Sequence, residues 1–136
     1  DAFGGSGLMS FEALSRGATV TTVERNRNAV RAIMANADQL GVGLDLRNTD
    51  VRGVLATASW DVVIMDPPYS DDPVEWVAEA ASAVDGMLVI EHRSGLEMPP
   101  RVGALSLEKQ RRYGDSTLSV YRRRALTQLD EPDVVP

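Results

Sequence analysis

The chain has 136 residues, 43% of them hydrophobic and 25% charged, with a formal net charge of −6; this is enough for one domain with a real core. It contains no cysteine and one histidine, His92, which excludes disulfides and Cys-ligated metals and argues against a His-based metal site or triad, so no metal is expected. No apolar run approaches membrane-spanning length, so no membrane partner is expected, and an acidic chain binds nucleic acid only where positive charge is locally concentrated.

The chain opens on a glycine-rich loop, Asp1-Ala2-Phe3-Gly4-Gly5-Ser6-Gly7. Such loops normally follow a strand, so the first strand of the fold is expected to be missing ahead of Asp1. The start has no basic segment followed by an apolar one, and a cytoplasmic location is expected. Residues 8–16 read as a helix that stops at Gly17. Residues 18–23 are rich in β-branched side chains and predict a strand. Residues 26–40 predict an amphipathic helix: Ala29, Val30, Ile33, Met34, Ala37 and Leu40 recur at three- and four-residue spacing before Gly41.

A short strand is expected over 44–48, ending near Asp50, then a short helix or loop over 51–58. Residues 60–65 contain Val62-Val63-Ile64-Met65, a continuous apolar run suited to a strand buried on both faces. Asp72 reads as an N-cap, with Pro73 at the first helical position and Glu75 completing a capping box; that helix runs to about residue 84. Residues 87–91 predict a second buried strand, and 94–100 a loop. Residues 105–112 and 117–123 alternate around Tyr113-Gly114-Asp115 and predict an antiparallel hairpin. The rhythm implies a doubly wound α/β domain over residues 1–124, Rossmann-like and mostly parallel, closed by that hairpin, with residues 125–136 as a flexible tail.

Three places carry chemistry. In the opening loop, glycines let a ligand approach the backbone. The dinucleotide fingerprint G-x-G-x-x-G fails, because Ser10 stands in the third place. A leading carboxylate suits a cationic ligand better than a pyrophosphate, and S-adenosylmethionine carries both an ammonium and a sulfonium. Glu24, beside Arg25, ends the next strand about twenty residues on, where an acid accepts hydrogen bonds from ribose hydroxyls. Asp50 closes the third strand and can accept from an adenine amino group, although an acid there is also a common turn former.

The sharpest motif is Asp66-Pro67-Pro68-Tyr69, directly after the apolar strand. Ligands of open α/β sheets bind beyond the carboxyl ends of the strands. The prolines stiffen the corner and remove two N–H donors, leaving the Asp66 carboxylate and the Pro67 carbonyl as acceptors. Two acceptors holding the hydrogens of an exocyclic amine localise its lone pair toward a methyl donor. Tyr69 offers a face on which a base extruded from its stack can lie. Basic residues also cluster late: between Lys109 and Arg124, Arg111, Arg112, Arg122 and Arg123 stand against one acid, Asp115. That run fits an RNA surface or a solvated edge hairpin equally well.

Together these motifs resemble the RsmD-type family of ribosomal RNA guanine-N2 methyltransferases. The match is carried by the opening loop running into Phe11-Glu12-Ala13-Leu14-Ser15-Arg16-Gly17-Ala18, by Asp66-Pro67-Pro68-Tyr69, and by residues 112–121 around Tyr113-Gly114-Asp115. Asp-Pro-Pro-Tyr alone also suits DNA adenine-N6 or cytosine-N4 enzymes, small-molecule amino methyltransferases, or a non-catalytic assembly factor that keeps the fold. The resemblance implies a class I sheet with S-adenosyl-L-methionine as cofactor. Asp1, Phe3, Gly5 and Gly7 would lie at its methionine end, Glu24 and Arg25 at its ribose, and Asp50 and Val51 at its adenine. Asp66, Pro67, Pro68 and Tyr69 would receive the guanine, with Asp66 also facing the cofactor. The implied partner is ribosomal RNA, in an assembling small subunit, and the implied state is a monomer.

Overall fold

The structure, a computed structural model, describes residues 1–125; the tail expected over 125–136 lies, beyond its first residue, outside the described residues. Helix α1 (Leu8–Ser15) follows the glycine loop, and strand β1 (Thr21–Val23) follows α1. Helix α2 (Arg27–Leu40) leads to β2 (Asp45–Arg47), α3 (Val51–Thr57) and β3 (Trp60–Met65). Helix α4 (Pro73–Ala80) and a 3-10 turn precede β4 (Val84–Arg93), and β5 (Arg101–Val102), β6 (Leu105–Tyr113) and β7 (Ser116–Arg123) complete the order.

Local chemistry explains the boundaries. The Asn26 side chain accepts from the N–H groups of Asn28 and Ala29, starting α2, and Gly41 ends it in the left-handed conformation. Asp50 and Asp72 cap α3 and α4 in the same way, accepting from Arg52 and Val74. Both capping acids therefore stand at the mouths of loops that follow strands or the β3 corner.

β1 pairs with β2 in parallel, and a five-stranded sheet runs β3-β4-β7-β6-β5. Within it β3 and β4 are parallel, while β4–β7, β7–β6 and β6–β5 are antiparallel. The antiparallel part exceeds the expected hairpin, because β5, just past the stretch read as loop, adds to β6. Residues 1–4 bind the two sheets to each other. Ala2 N–H donates to Ile64 O, Val23 N–H to Asp1 O and Gly4 N–H to Val23 O, each at 2.9 Å. Gly4 must be small here: a Cβ would lie 2.7 Å from Thr22 Cγ2.

One expectation fails along β3. Val63 and Met65 are buried, but Val62 is 48% exposed. β3 ends the strand order, so ahead of Ile64 it has a ladder only with β4. The core collects Met65, Leu88, Ile90, Val77, Val84 and Tyr121, all essentially inaccessible. Each such side chain contributes about 1.5–3 kcal/mol. This core fixes the carboxyl ends of β3 and β4, where the chemistry lies.

Candidate active site

The ends of β1, β2, β3 and β4 open on one cavity of about 950 Å³, a volume that suits a small ligand. Its lining includes Phe3, Gly5, Glu24, Arg25, Asp50, Val51, Asp66, Pro67, Pro68 and Tyr69. Ten of the site residues expected from sequence therefore share one space, drawn from segments up to 66 positions apart in the chain (Phe3 to Tyr69).

At one end of the cavity the carboxylates are held by the backbone. Glu24 Oε1 accepts from Gly5 N–H at 2.9 Å and Oε2 from Asn26 N–H at 2.8 Å. Gly5 reaches this position with φ of 57°, a left-handed conformation that favours glycine. Asp50 accepts from Arg52 N–H at 2.8 Å and sits within 3.8 Å of Arg25 and 3.6 Å of Arg52. Both acids line the cavity.

The wall between is aromatic. Phe3 meets Trp76 edge to face at 4.9 Å, and the Arg52 guanidinium lies 4.3 Å from the Trp76 ring centroid. Trp76 is itself fixed by its indole N–H, which donates to Asp71 at 3.0 Å. Trp76 lies on the buried face of α4 with Val77 and Ala80.

The far end is the Asp66-Pro67-Pro68-Tyr69 corner. Here β3 and β4 run in register with Met65 beside Ile90, so the next step sets Asp66 beside Glu91. More than a third of Asp66 is exposed to the cavity. Even so, partial burial first, and then the charge and hydrogen bond of Glu91, push its carboxyl up to about 6. Tyr69 is 46% exposed, its hydroxyl is hydrogen-bonded to Ser116 on β7, and the Arg93 guanidinium lies 5.5 Å from its ring. A second cavity of about 450 Å³ opens on the other side of this corner, sharing Pro67, Pro68, Tyr69, Asp71 and Glu91 with the first.

Two groups of expected residues stand elsewhere. Asp1 and Gly7 do not line the cavity. Asp1 Oδ2 accepts from the buried Ser10 hydroxyl at 2.7 Å, and Ser10 lies 2.6 Å from Thr22 Oγ1, so the carboxylate ties the loop to α1 and β1. Gly7, with φ of 84°, is needed for space against Phe11, whose ring would lie 2.8 Å from a Cβ.

The four arginines do not form one surface. Registers put Arg111 opposite Leu118 and Arg112 opposite Thr117, while Arg122 and Arg123 end β7. Strand alternation splits each adjacent pair between two faces. Arg122 is held by Glu108 at 3.1 Å, and Arg123 donates to Val84 O at 3.3 Å, at the opposite end of the sheet from Tyr69. His92, 3% exposed, lies 2.6 Å from Ser119 Oγ and is structural. No group of acids and histidine suited to a metal occurs among the described residues, and no described helix is long and apolar enough to cross a membrane.

Comparison with known proteins matches residues 1–122 to a family described as "Conserved hypothetical protein 95". A relative named "Putative rRNA methyltransferase YlbH", from Bacillus subtilis, is 28% identical over 137 residues, covering 91% of this chain and 74% of its own length. A solved structure of a conserved hypothetical protein of Streptococcus pyogenes superposes with a TM-score of 0.81 at 28% identity, over 91% of this chain and 84% of the other. That of the "Putative methyltransferase yhhF" of Escherichia coli does so with a TM-score of 0.78 at 25% identity, over 92% and 74%.

Proposed function

The chain belongs to the family described as "Conserved hypothetical protein 95", the RsmD-type methyltransferase family that its motifs resemble, and from that premise we propose that it methylates the exocyclic N2 of a guanine in small-subunit ribosomal RNA, using S-adenosylmethionine. One observation carries the reading: a single cavity joins the glycine turn, Glu24 and Asp50 to the Asp66-Pro67-Pro68-Tyr69 corner.

The residues fit an S-adenosyl ligand. Each Glu24 oxygen spends one lone pair on a backbone N–H and keeps another for a ribose hydroxyl. Asp50 can accept from an adenine amine, with Val51 and the Phe3–Trp76 pair as apolar surface for its ring. When bound, S-adenosylmethionine supplies an electrophilic methyl whose S–C bond breaks, its electrons staying on sulfur, as the amine lone pair forms the new N–C bond.

This chain's own contribution is position and charge. Asp66 and the Pro67 carbonyl hold the amine hydrogens, and Tyr69 carries the base. Asp66, raised to about 6, accepts the proton released from nitrogen more readily than an ordinary carboxylate does. The chain has no cysteine, so thiolate attack on the base has no place in this scheme.

The test is methyl transfer from labelled S-adenosylmethionine to unmodified small-subunit RNA, to DNA and to small amines, followed by nucleoside analysis. The expected product is N2-methylguanosine. N6-methyladenosine or N4-methylcytidine would replace the substrate assignment. Binding of S-adenosylhomocysteine without transfer to any acceptor would overturn the enzymatic reading.

A further inference from the structure

We infer that Glu91 selects guanine: its carboxylate, beside Asp66 where the two cavities meet, accepts the ring N1–H while Asp66 and the Pro67 carbonyl hold the neighbouring amine. The inference rests on the methyltransferase reading above and names the residue that sets its base specificity.

One residue beyond the last β3–β4 pair, Met65 and Ile90, Asp66 and Glu91 stand side by side at the carboxyl ends of adjacent parallel strands, within hydrogen-bonding reach. Glu91 lines both cavities, as do Pro67, Pro68, Tyr69 and Asp71. It stands at the passage between the space that fits an S-adenosyl ligand and the space beyond the corner. The cations around it are engaged. Arg93 lies over Tyr69, Arg52 lies over Trp76 and near Asp50 and Glu79, and Arg25 lies near Asp50. His92, next on β4, turns to Ser119 and the Arg93 carbonyl. Asp71 holds the Trp76 indole, and Leu118 is the residue opposite Glu91 on β7.

Two adjacent carboxylates repel unless donors lie between them. A carboxylate oxygen only accepts when ionised, so a base fits this pair best when it presents N–H groups on two neighbouring atoms. Guanine does, with N1–H beside the N2 amine. The adenine amine is flanked by N1 and N7 lone pairs, and the cytosine amine by the N3 lone pair. Either would aim a lone pair at a carboxylate, and a mismatch of that kind in a built polar site discriminates strongly. Asp66 is raised by burial first and then by the charge and hydrogen bond of Glu91, so the two acids are in direct contact at this point.

The experiment uses an RNA in which the guanosine methylated by the wild type is replaced by 2-aminopurine ribonucleoside. That base keeps the 2-amine but has a lone pair at N1. The wild type should prefer guanine by roughly tenfold or more in kcat/KM. Glu91→Gln should lose guanine activity and bring the preference within about threefold, because a carboxamide can donate to N1. Glu91→Asp should keep the preference, and affinity for S-adenosylhomocysteine should be unchanged in both variants.

Equal use of the two bases by the wild type, which needs no variant, would overturn the proposal. So would a Glu91→Gln protein that retains the wild-type preference. A wild type that transfers no methyl to RNA guanine sinks the parent reading first, and is distinguishable from either result.

Discussion

The two ends of the active-site cavity treat their carboxylates in opposite ways. At the end that fits a cofactor, Glu24 is held by two backbone N–H groups, and Asp50 by one together with nearby arginines. At the corner, partial burial first, and then the charge and hydrogen bond of the neighbouring Glu91, push the Asp66 carboxyl up to about 6. The first end is satisfied by the fold and holds a shape. The second is left in electrostatic conflict, the arrangement expected where a bound substrate supplies the missing donors. An acid that the backbone already satisfies is a scaffold with spare lone pairs; one that the fold sets against its neighbour is positioned for chemistry.

Removing the conflicted acid should have the largest effect. Asp66→Ala is expected to lower the methyl-transfer rate by roughly 10²–10³-fold, the scale for losing one group that stabilises developing charge. Affinity for S-adenosylhomocysteine, measured by calorimetry, should stay close to wild type. A variant with wild-type turnover would erase the distinction between the two ends. Removing the satisfied acid should do the reverse. Glu24→Ala leaves two backbone N–H groups without their partner, costing about 1 kcal/mol of stability for each hydrogen bond, and should weaken cofactor binding more than turnover at saturation. A Glu24→Ala protein with unchanged melting temperature and cofactor affinity would show that this end is not the scaffold described.

The sequence was readable where a local pattern carried its own physics. Asp66-Pro67-Pro68-Tyr69 follows an apolar strand, and its prolines dictate a stiff, donor-poor corner before any fold is known. Glu24 and Asp50 stand at strand ends, which is enough to aim them at one edge of a sheet. Asp50 and Asp72 were legible as a strand-ending acid and an N-cap. What stayed hidden depends on partners distant in sequence. Glu91 reads from sequence as a strand-end acid that could face the site, but its role comes only from the strand pairing that brings it beside Asp66. Trp76 carries no signal of its own in sequence, and its place in the wall follows from Phe3 and Arg52 meeting it. Sequence alone points Asp1 at the ligand, because nothing in it shows that Ser10 turns its hydroxyl to that carboxylate. The late arginines formed a cluster in one dimension that strand alternation and the Glu108 contact take apart. The exposure of Val62 likewise follows from the place of β3 in the strand order, which an apolar run does not reveal.

The smallest effect sharpens the comparison most, because it reads the conflict without any ligand. Asp66 ionises near 3.8 when unperturbed and at about 6 in the folded protein, so the native state binds its proton more tightly than the unfolded chain does. Its contribution to stability is therefore fully present below pH 3.8 and is lost as the pH rises through 6; above that, the ionised pair with Glu91 is a standing cost. Replacing Asp66 with Asn removes the titration. Relative to wild type, Asp66→Asn should melt higher at pH 8, and the advantage should shrink steadily toward pH 4. Solvent screening at a site this open keeps the difference below about 1 kcal/mol, a shift of a few degrees at most. The wild-type-minus-variant difference isolates the corner from the other carboxylates, including Asp45, whose ionisation is held down by hydrogen bonds from Arg47 and Thr21 and which acidification affects equally in both proteins. Repeating the pair in a Glu91→Gln background should reduce the pH 8 advantage, since the charge opposing Asp66 is gone. A difference independent of pH, or unchanged in that background, would mean that Asp66 and Glu91 do not oppose each other and that the corner is as settled as the end held by Glu24.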